Sequence, residues 1–340
     1  MSDICITAVD TLPGYALAYR FLKGRKELGD VNICLLCRND QGLEELKQMG
    51  GKVSKVDYMR FEKMREIFKQ CKCVLFIPED LPMRLSEGEN IIKSARDAGV
   101  EYFAMISDIG VDAVKNEPEE KWPNIHQYRK LEETAIEQFE SDRVCIMRQS
   151  MYSQFFYLMT PYVESQNALR MPIEKSKRWG CIDLRDITDA IFMLATKKLG
   201  KQQPKSGVAT TLNLYRWTPL KTMNGQEIAN AMAESLGKPE LEYEEIPAHE
   251  LRSYLEQIRQ DSRFKERPRK EHGGTDKPYT FPLGKYIHDE EIDMILEAFE
   301  LANRGMADIT THDLRKVLQR EPQDLGQFFA SNKEQFRRLR

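Results

Sequence analysis

Between Ala8 and Gly14 the segment AVDTLPG joins a short apolar stretch (Ile4, Cys5, Ile6) to a run with apolar positions at Tyr15, Leu17, Ala18, Phe21 and Leu22. Strand, tight turn and helix in that order form the unit that cradles a pyrophosphate when the turn carries three glycines. In the spacing G-x-x-G-x-x-G those positions are Ala8, Thr11 and Gly14, so only the last glycine stands. Alanine can serve the tight turn. The Cβ of Thr11 intrudes where backbone must approach phosphate, while Gly14 keeps the close approach of helix to strand. The Asp10 carboxylate and the Thr11 hydroxyl are both placed to cap the free N–H groups of the helix. Donors that a phosphate should use would then be satisfied internally. The turn predicts a weakened or lost dinucleotide site, with normal dinucleotide binding as the remaining alternative.

Other residue types invite chemistry and have plainer readings. His126 is of a residue type that could act as a general acid, or it is an exposed cap residue beside the polar loop at 116–124. Arg148, Tyr152 and Phe155 follow an apolar strand and are expected to line a cleft between lobes, or to pack the lobes. Asp183 and Asp186 read as a structural cap, with Asp186 capping a helix through Ile191 and Leu194. Cys34-x-x-Cys37 resembles half of a metal or redox motif. On a strand, however, those side chains face opposite ways, and no second CxxC exists. No His, Cys and Asp set has metal spacing, no Ser-His-Asp order is suggested, and there is no P-loop. Arg263, Lys265, Arg267, Arg269 and Lys270, with Arg337, Arg338 and Arg340 at the tail, could meet an acidic partner or form a solvated face.

The elements that position these residues alternate. Val31–Cys37 is a continuous apolar run that reads as a strand buried on both faces. Lys52–Val56, Cys73–Ile77, Glu101–Ser107 and Arg143–Met147 read as further strands. Helical periodicity separates them: Phe61, Met64, Ile67 and Phe68; a segment from a Ser86/Glu89 capping box to Gly99; and Ile125–Glu140. This is β-α-β repeated, hence an α/β doubly wound parallel sheet. After Arg148 the rhythm changes. Trp179–Asp183 and Leu212–Tyr215 read as strands, and Asn224 with Glu227 caps a helix closed by Gly237 and Pro239. Asp289–Asn303 is strongly amphipathic, and two short helices follow. The domain expectation is a sheet domain over 1–150 with 180–215 returning to it. A smaller, mainly helical C-terminal lobe covers 151–179 and 216–340, with a charged insertion at about 261–277 marked by Gly273-Gly274.

Composition narrows the class. The chain has 340 residues, of which 41% are hydrophobic and 31% charged, with a net charge of -3. That balance excludes a broadly basic nucleic-acid coat. Seven cysteines, mostly in apolar runs, suit small core residues of a reduced protein. The first strand begins by residue 3, which leaves no room for a cleavable signal, and no apolar run spans a bilayer. A cytoplasmic protein, with the nucleus as a further compartment, is expected.

The ordered set LLCRND, SARDAGVEYFAMIS, HQYRKLEE, RQSMYSQFF, CIDLRDITDAI and ITTHDLRKVLQREPQDLGQFF resembles the NmrA-like branch of the atypical short-chain dehydrogenase/reductases over nearly the whole chain. The resemblance implies a Rossmann-like fold and an NADP(H) site contacted by Thr11, Leu12, Gly14, Arg38, Ile77, Ser107 and Lys130. Arg38 would face the adenosine ribose and accept a 2′-phosphate, favouring NADP over NAD. Ser107 would lie close to the nicotinamide. Catalytic short-chain enzymes use Tyr-x-x-x-Lys; here Lys130 has His126 four positions earlier, and Tyr128 lies elsewhere on the helix. The candidates for catalysis are therefore only His126, Lys130 and Ser107. The resemblance implies either an NAD(P)-binding redox-sensing regulator or an NAD(P)H-dependent reductase. The degraded glycine turn and the missing Tyr-x-x-x-Lys put first a regulator with a degenerate NADP(H) site acting through a protein partner. The alternatives are an NADPH-dependent reductase of quinones or similar small electrophiles, and a nucleotide-free pseudoenzyme with a structural or assembly role. Neither a membrane nor direct nucleic-acid binding is expected.

Overall fold

Short strands set the framework: β1 (Ile4–Ile6), β2 (Ile33–Cys37), β3 (Lys52–Lys55), β4 (Cys73–Phe76), β5 (Tyr102–Asp108) and β6 (Val144–Gln149). Of these, β1, β2 and β4 are apolar and buried along their length, β5 and β6 mostly so, and β3 is a polar edge strand. With β8 (Asn213–Trp217) they form a seven-stranded sheet of order β3-β2-β1-β4-β5-β6-β8. Every pairing from β3 across to β6 is parallel. The helices between are α1 (Leu12–Lys23), α2 (Glu44–Gln48), α3 (Phe61–Phe68), α4 (Arg84–Asp97) and α5 (Pro123–Gln138), with α8 (Leu184–Leu199) before β8. The expected doubly wound α/β sheet with a mainly helical C-terminal portion is what the computed structural model contains. It describes residues 3–199, 213–238, 241–265, 279 and 283–339.

The chain divides into two units. The first comprises Met1–Val111, Glu117–Gln149 and Thr188–Arg216, and the second Asp112–Asn116, Ser150–Ile187 and Trp217–Arg340. In the first, chain reversal of the sheet order at β1 and β4 opens a crevice at the strands' carboxyl ends. The second holds α6 (Phe155–Leu158), α7 (Thr160–Gln166), α9 (Gly225–Leu236), α10 (Ala248–Gln260), α11 (Asp289–Asn303), α12 (Asp313–Leu318), α13 (Leu325–Ser331) and α14 (Lys333–Arg338). Its two-stranded parallel sheet pairs β7 (Ala168–Met171) with β9 (Glu242–Glu245). Its core is aromatic. Phe156 meets Phe329 edge-on at 5.2 Å, and Phe299 meets both Phe155 at 5.4 Å and Trp179 at 5.3 Å.

Several local expectations are corrected. Ser86 does not cap α4: the helix starts at Arg84, and the Ser86 hydroxyl donates back to the Met83 carbonyl at 3.1 Å. Trp179–Asp183 is not a strand, because Trp179 bridges to Met223 and Ile182 to Tyr152, single contacts with different neighbours. Asp183, not Asp186, opens α8, its Oδ1 accepting from the Arg185 N–H at 2.9 Å and the Gln154 amide at 2.8 Å. Asp186 is instead buried, accepting from the Gln323 N–H at 2.6 Å and pairing with Arg320 at 2.7 Å. The Asn224/Glu227 capping box and the left-handed Gly237 are present. Leu212, Pro239, Arg267, Arg269, Lys270, Gly273, Gly274, Arg340 and the Arg338 side chain lie outside the described residues.

Candidate functional site

The turn after β1 is closed by its own residues. Ala8 takes the left-handed conformation, φ +53°, at the position where the motif has its first glycine. Its N–H donates to the buried Tyr58 hydroxyl at 2.8 Å. Its carbonyl accepts from both the Thr11 N–H at 3.0 Å and the Thr11 hydroxyl at 2.7 Å. The same hydroxyl accepts from the Gly14 N–H at 3.2 Å, so Thr11 caps α1. Pro13 has no N–H to offer. Among the described residues, Leu12 alone in this first turn keeps an N–H for an outside acceptor.

Asp10 does not cap α1 as the sequence suggested. Its Oδ2 crosses to the end of β2, accepting from the N–H of Arg38 at 3.0 Å and of Asn39 at 2.8 Å. A carboxylate thus sits on the two backbone donors at the strand end where a dinucleotide presents its adenosine ribose. Its other oxygen is buried without a hydrogen-bond partner.

Arg38 is held from the far side of the crevice. Its Nε donates to both oxygens of Glu79 at 3.1 Å, Nη1 donates to Glu87 Oε1 at 2.7 Å, and Nη2 to Glu87 Oε2. The Tyr58 ring lies 5.1 Å from the guanidinium. Burial works against the Arg38 charge, but the bonds from Glu87 and Glu79 outweigh it and raise its pKa. Burial pushes the Glu79 carboxyl up to about 7, with Arg38 opposing and Asp10 and Glu87 reinforcing the rise. Three carboxylates around one guanidinium leave this corner net negative, the wrong sign for a phosphate. Beside it, buried Arg84 donates to Asn124 Oδ1 at 3.1 Å and pairs with Asp80, which also accepts from the Tyr128 hydroxyl at 3.2 Å.

The other candidates are spread out. The Ile77 N–H is taken by the Thr7 hydroxyl at 2.9 Å. Ser107 is 1% exposed, and its hydroxyl has no partner among the described residues. His126, expected to be exposed, is buried under the loop it follows, with Nε2 3.0 Å from the Glu117 carbonyl. A carbonyl only accepts, so Nε2 carries the proton. Lys130 pairs with Glu119 at 2.6 Å on a solvated face. Arg148 forms a buried bidentate pair with Glu132, with Nε to Oε1 at 2.9 Å and Nη2 to Oε2 at 2.5 Å. Tyr152 and Phe155 belong to the second unit, where the Phe155 ring is a core ring. Among the described residues no cluster could hold a metal, and no helix is long and apolar enough to cross a membrane. Sequence reasoning missed Tyr58, Glu79 and Glu87; the one available signal was Pro78-Glu79-Asp80, acids directly after a strand.

A profile of the NmrA-like family matches residues 21–299. The chain belongs to the NmrA-like family. None of the curated proteins matches it in sequence. Solved structures share the fold of this NmrA-like chain at low identity. The Citrobacter sp. triphenylmethane reductase complexed with NADP(H) is 16% identical, with a TM-score of 0.70 over 97% of this chain and 100% of that one. The NADPH-dependent quinone oxidoreductase of Escherichia coli, complexed with NADPH, is 14% identical, with a TM-score of 0.70 over 96% and 99%. NmrA, a negative transcriptional regulator in complex with NADP, is 11% identical, with a TM-score of 0.64 over 97% and 94%. The residues of this chain do not fit NADP as they stand: the helix cap, the strand-end N–H groups and the arginine are all engaged. Among the described residues of this site, the Ser107 hydroxyl and Asp10 Oδ1 are buried polar atoms without a partner.

Proposed function

We propose that this NmrA-like chain is a regulatory binding protein that acts through a protein partner and holds NADP(H) weakly or not at all. The observation that carries this reading is the Asp10 carboxylate on the N–H groups of Arg38 and Asn39. A ligand phosphate or ribose must displace a charged internal acceptor to reach them, and charge-assisted bonds are the stronger kind. NADP in the regulator of the same family supports the lineage of the site, and the filled donors support its weakening. Calorimetric titration with NADPH is the test. The expected dissociation constant is weaker than about 100 μM, roughly -5.5 kcal/mol. Micromolar binding by the unaltered protein would overturn the reading.

A reductase of quinones or similar electrophiles is the second reading, favoured by the unpartnered Ser107 hydroxyl at the end of β5 and by the activities of two of the structural neighbours. Against it stands α5, where Lys130 is committed to Glu119 and no tyrosine precedes it by four residues.

A further inference from the structure

Arg38 is engaged in the way a phosphate would engage it. A phosphate monoester offers a guanidinium two oxygens in one plane for a fork, plus further charge nearby. Glu87 supplies the fork through Nη1 and Nη2, and Glu79 supplies the second pair of oxygens to Nε. Both carboxylates are buried, with side-chain exposures of 10% and 8%. They come from α4 and from the segment before it, elements fixed by Arg84 and Asn90. The pairs are therefore part of the folded first unit rather than loose surface contacts.

We propose that Glu79 and Glu87 are an internal stand-in for a 2′-phosphate, so that any dinucleotide this chain accepts is one whose adenosine ribose carries no phosphate. The inference rests on the reading of a degenerate site and reverses the cofactor preference that Arg38 alone implies. A 2′-phosphate entering here meets a guanidinium already doubly paired, plus the Asp10, Glu79 and Glu87 charges. An unphosphorylated ribose brings only hydroxyls, which a carboxylate can accept without repulsion.

The test uses the full chain and two probes, NAD⁺ and NADP⁺, titrated calorimetrically. The unaltered protein is expected to bind NADP⁺ no more tightly than NAD⁺. The isosteric double variant Glu79→Gln/Glu87→Gln should bind NADP⁺ at least tenfold more tightly, with NAD⁺ changed less than threefold. Adding Arg38→Ala should abolish that gain. If the double variant melts early, Glu87→Gln alone should raise the NADP⁺ to NAD⁺ affinity ratio threefold or more. Equal gains for both probes overturn the proposal, since the carboxylates would then act by bulk charge. So does tenfold tighter NADP⁺ binding by the unaltered protein, or a folded double variant that gains nothing for NADP⁺. The function proposed above fails separately, on the absolute NADPH affinity of the unaltered chain rather than on the ratio.

Discussion

Gly14 survives in its turn for a reason unconnected with any ligand. A Cβ there would lie 1.9 Å from the Ala8 carbonyl oxygen, and backbone cannot move aside. Gly14→Ala should cost on the order of 3 kcal/mol in urea unfolding. Ala8→Gly removes a left-handed alanine, worth about 1–2 kcal/mol, but adds about 0.5–1 kcal/mol of chain entropy to be lost on folding. That variant should fall between neutral and about 1.5 kcal/mol more stable. Arg148 with Glu132 is the other residue-scale case. Arg148→Ala strands a buried carboxylate and should cost about 3–5 kcal/mol, whereas Arg148→Met with Glu132→Leu should recover most of the loss. Sequence alone located Arg38 from its place after a strand. It could not supply Glu79 or Glu87, which lie 41 and 49 residues away along the chain.

At the scale of elements, α5 decides the chemistry. Tyr128 turns to Asp80 while Lys130 turns to Glu119, so one helix sends the two groups a short-chain reductase needs in different directions. NADPH absorbance followed over a panel of simple aldehydes and ketones should show no turnover, with at most slow oxidation by quinones. Carbonyl reduction lost in His126→Ala would contradict this. Strands β1, β2 and β4 and the long helices were legible because their apolar periods are unbroken; Asp289–Asn303 matches α11 at both ends. β9 was not, since in EYEE only Tyr243 is buried and the charges read as surface. α7 and α10 were also missed. α10 buries only Leu251, Tyr254, Leu255 and Ile258 from an otherwise polar segment.

For the whole molecule, the two units each bury a carboxyl whose pKa is raised. Glu79 in the first goes from the usual 4.5 to about 7, and Asp186 in the second rises from 3.8, both chiefly through burial. Between the ordinary and raised values the folded chain holds a proton that the unfolded chain has released. Stability therefore falls as pH rises from about 4.5 through 7 and levels off above. Thermal melting should show that slope, and Glu79→Gln should flatten it. Reductant should leave the melting temperature unchanged, because all seven cysteines are free thiols.

The double engagement of Thr11 makes the turn a self-contained unit. Its hydroxyl gives to Ala8 and takes from Gly14, and Asp10 ties the turn to the end of β2. Each substitution that would reopen a phosphate donor first removes an internal bond, at about 0.5–2 kcal/mol for a helix cap. A single substitution of Thr11 or Asp10 therefore loosens the turn itself, so its closure and its stability are one property.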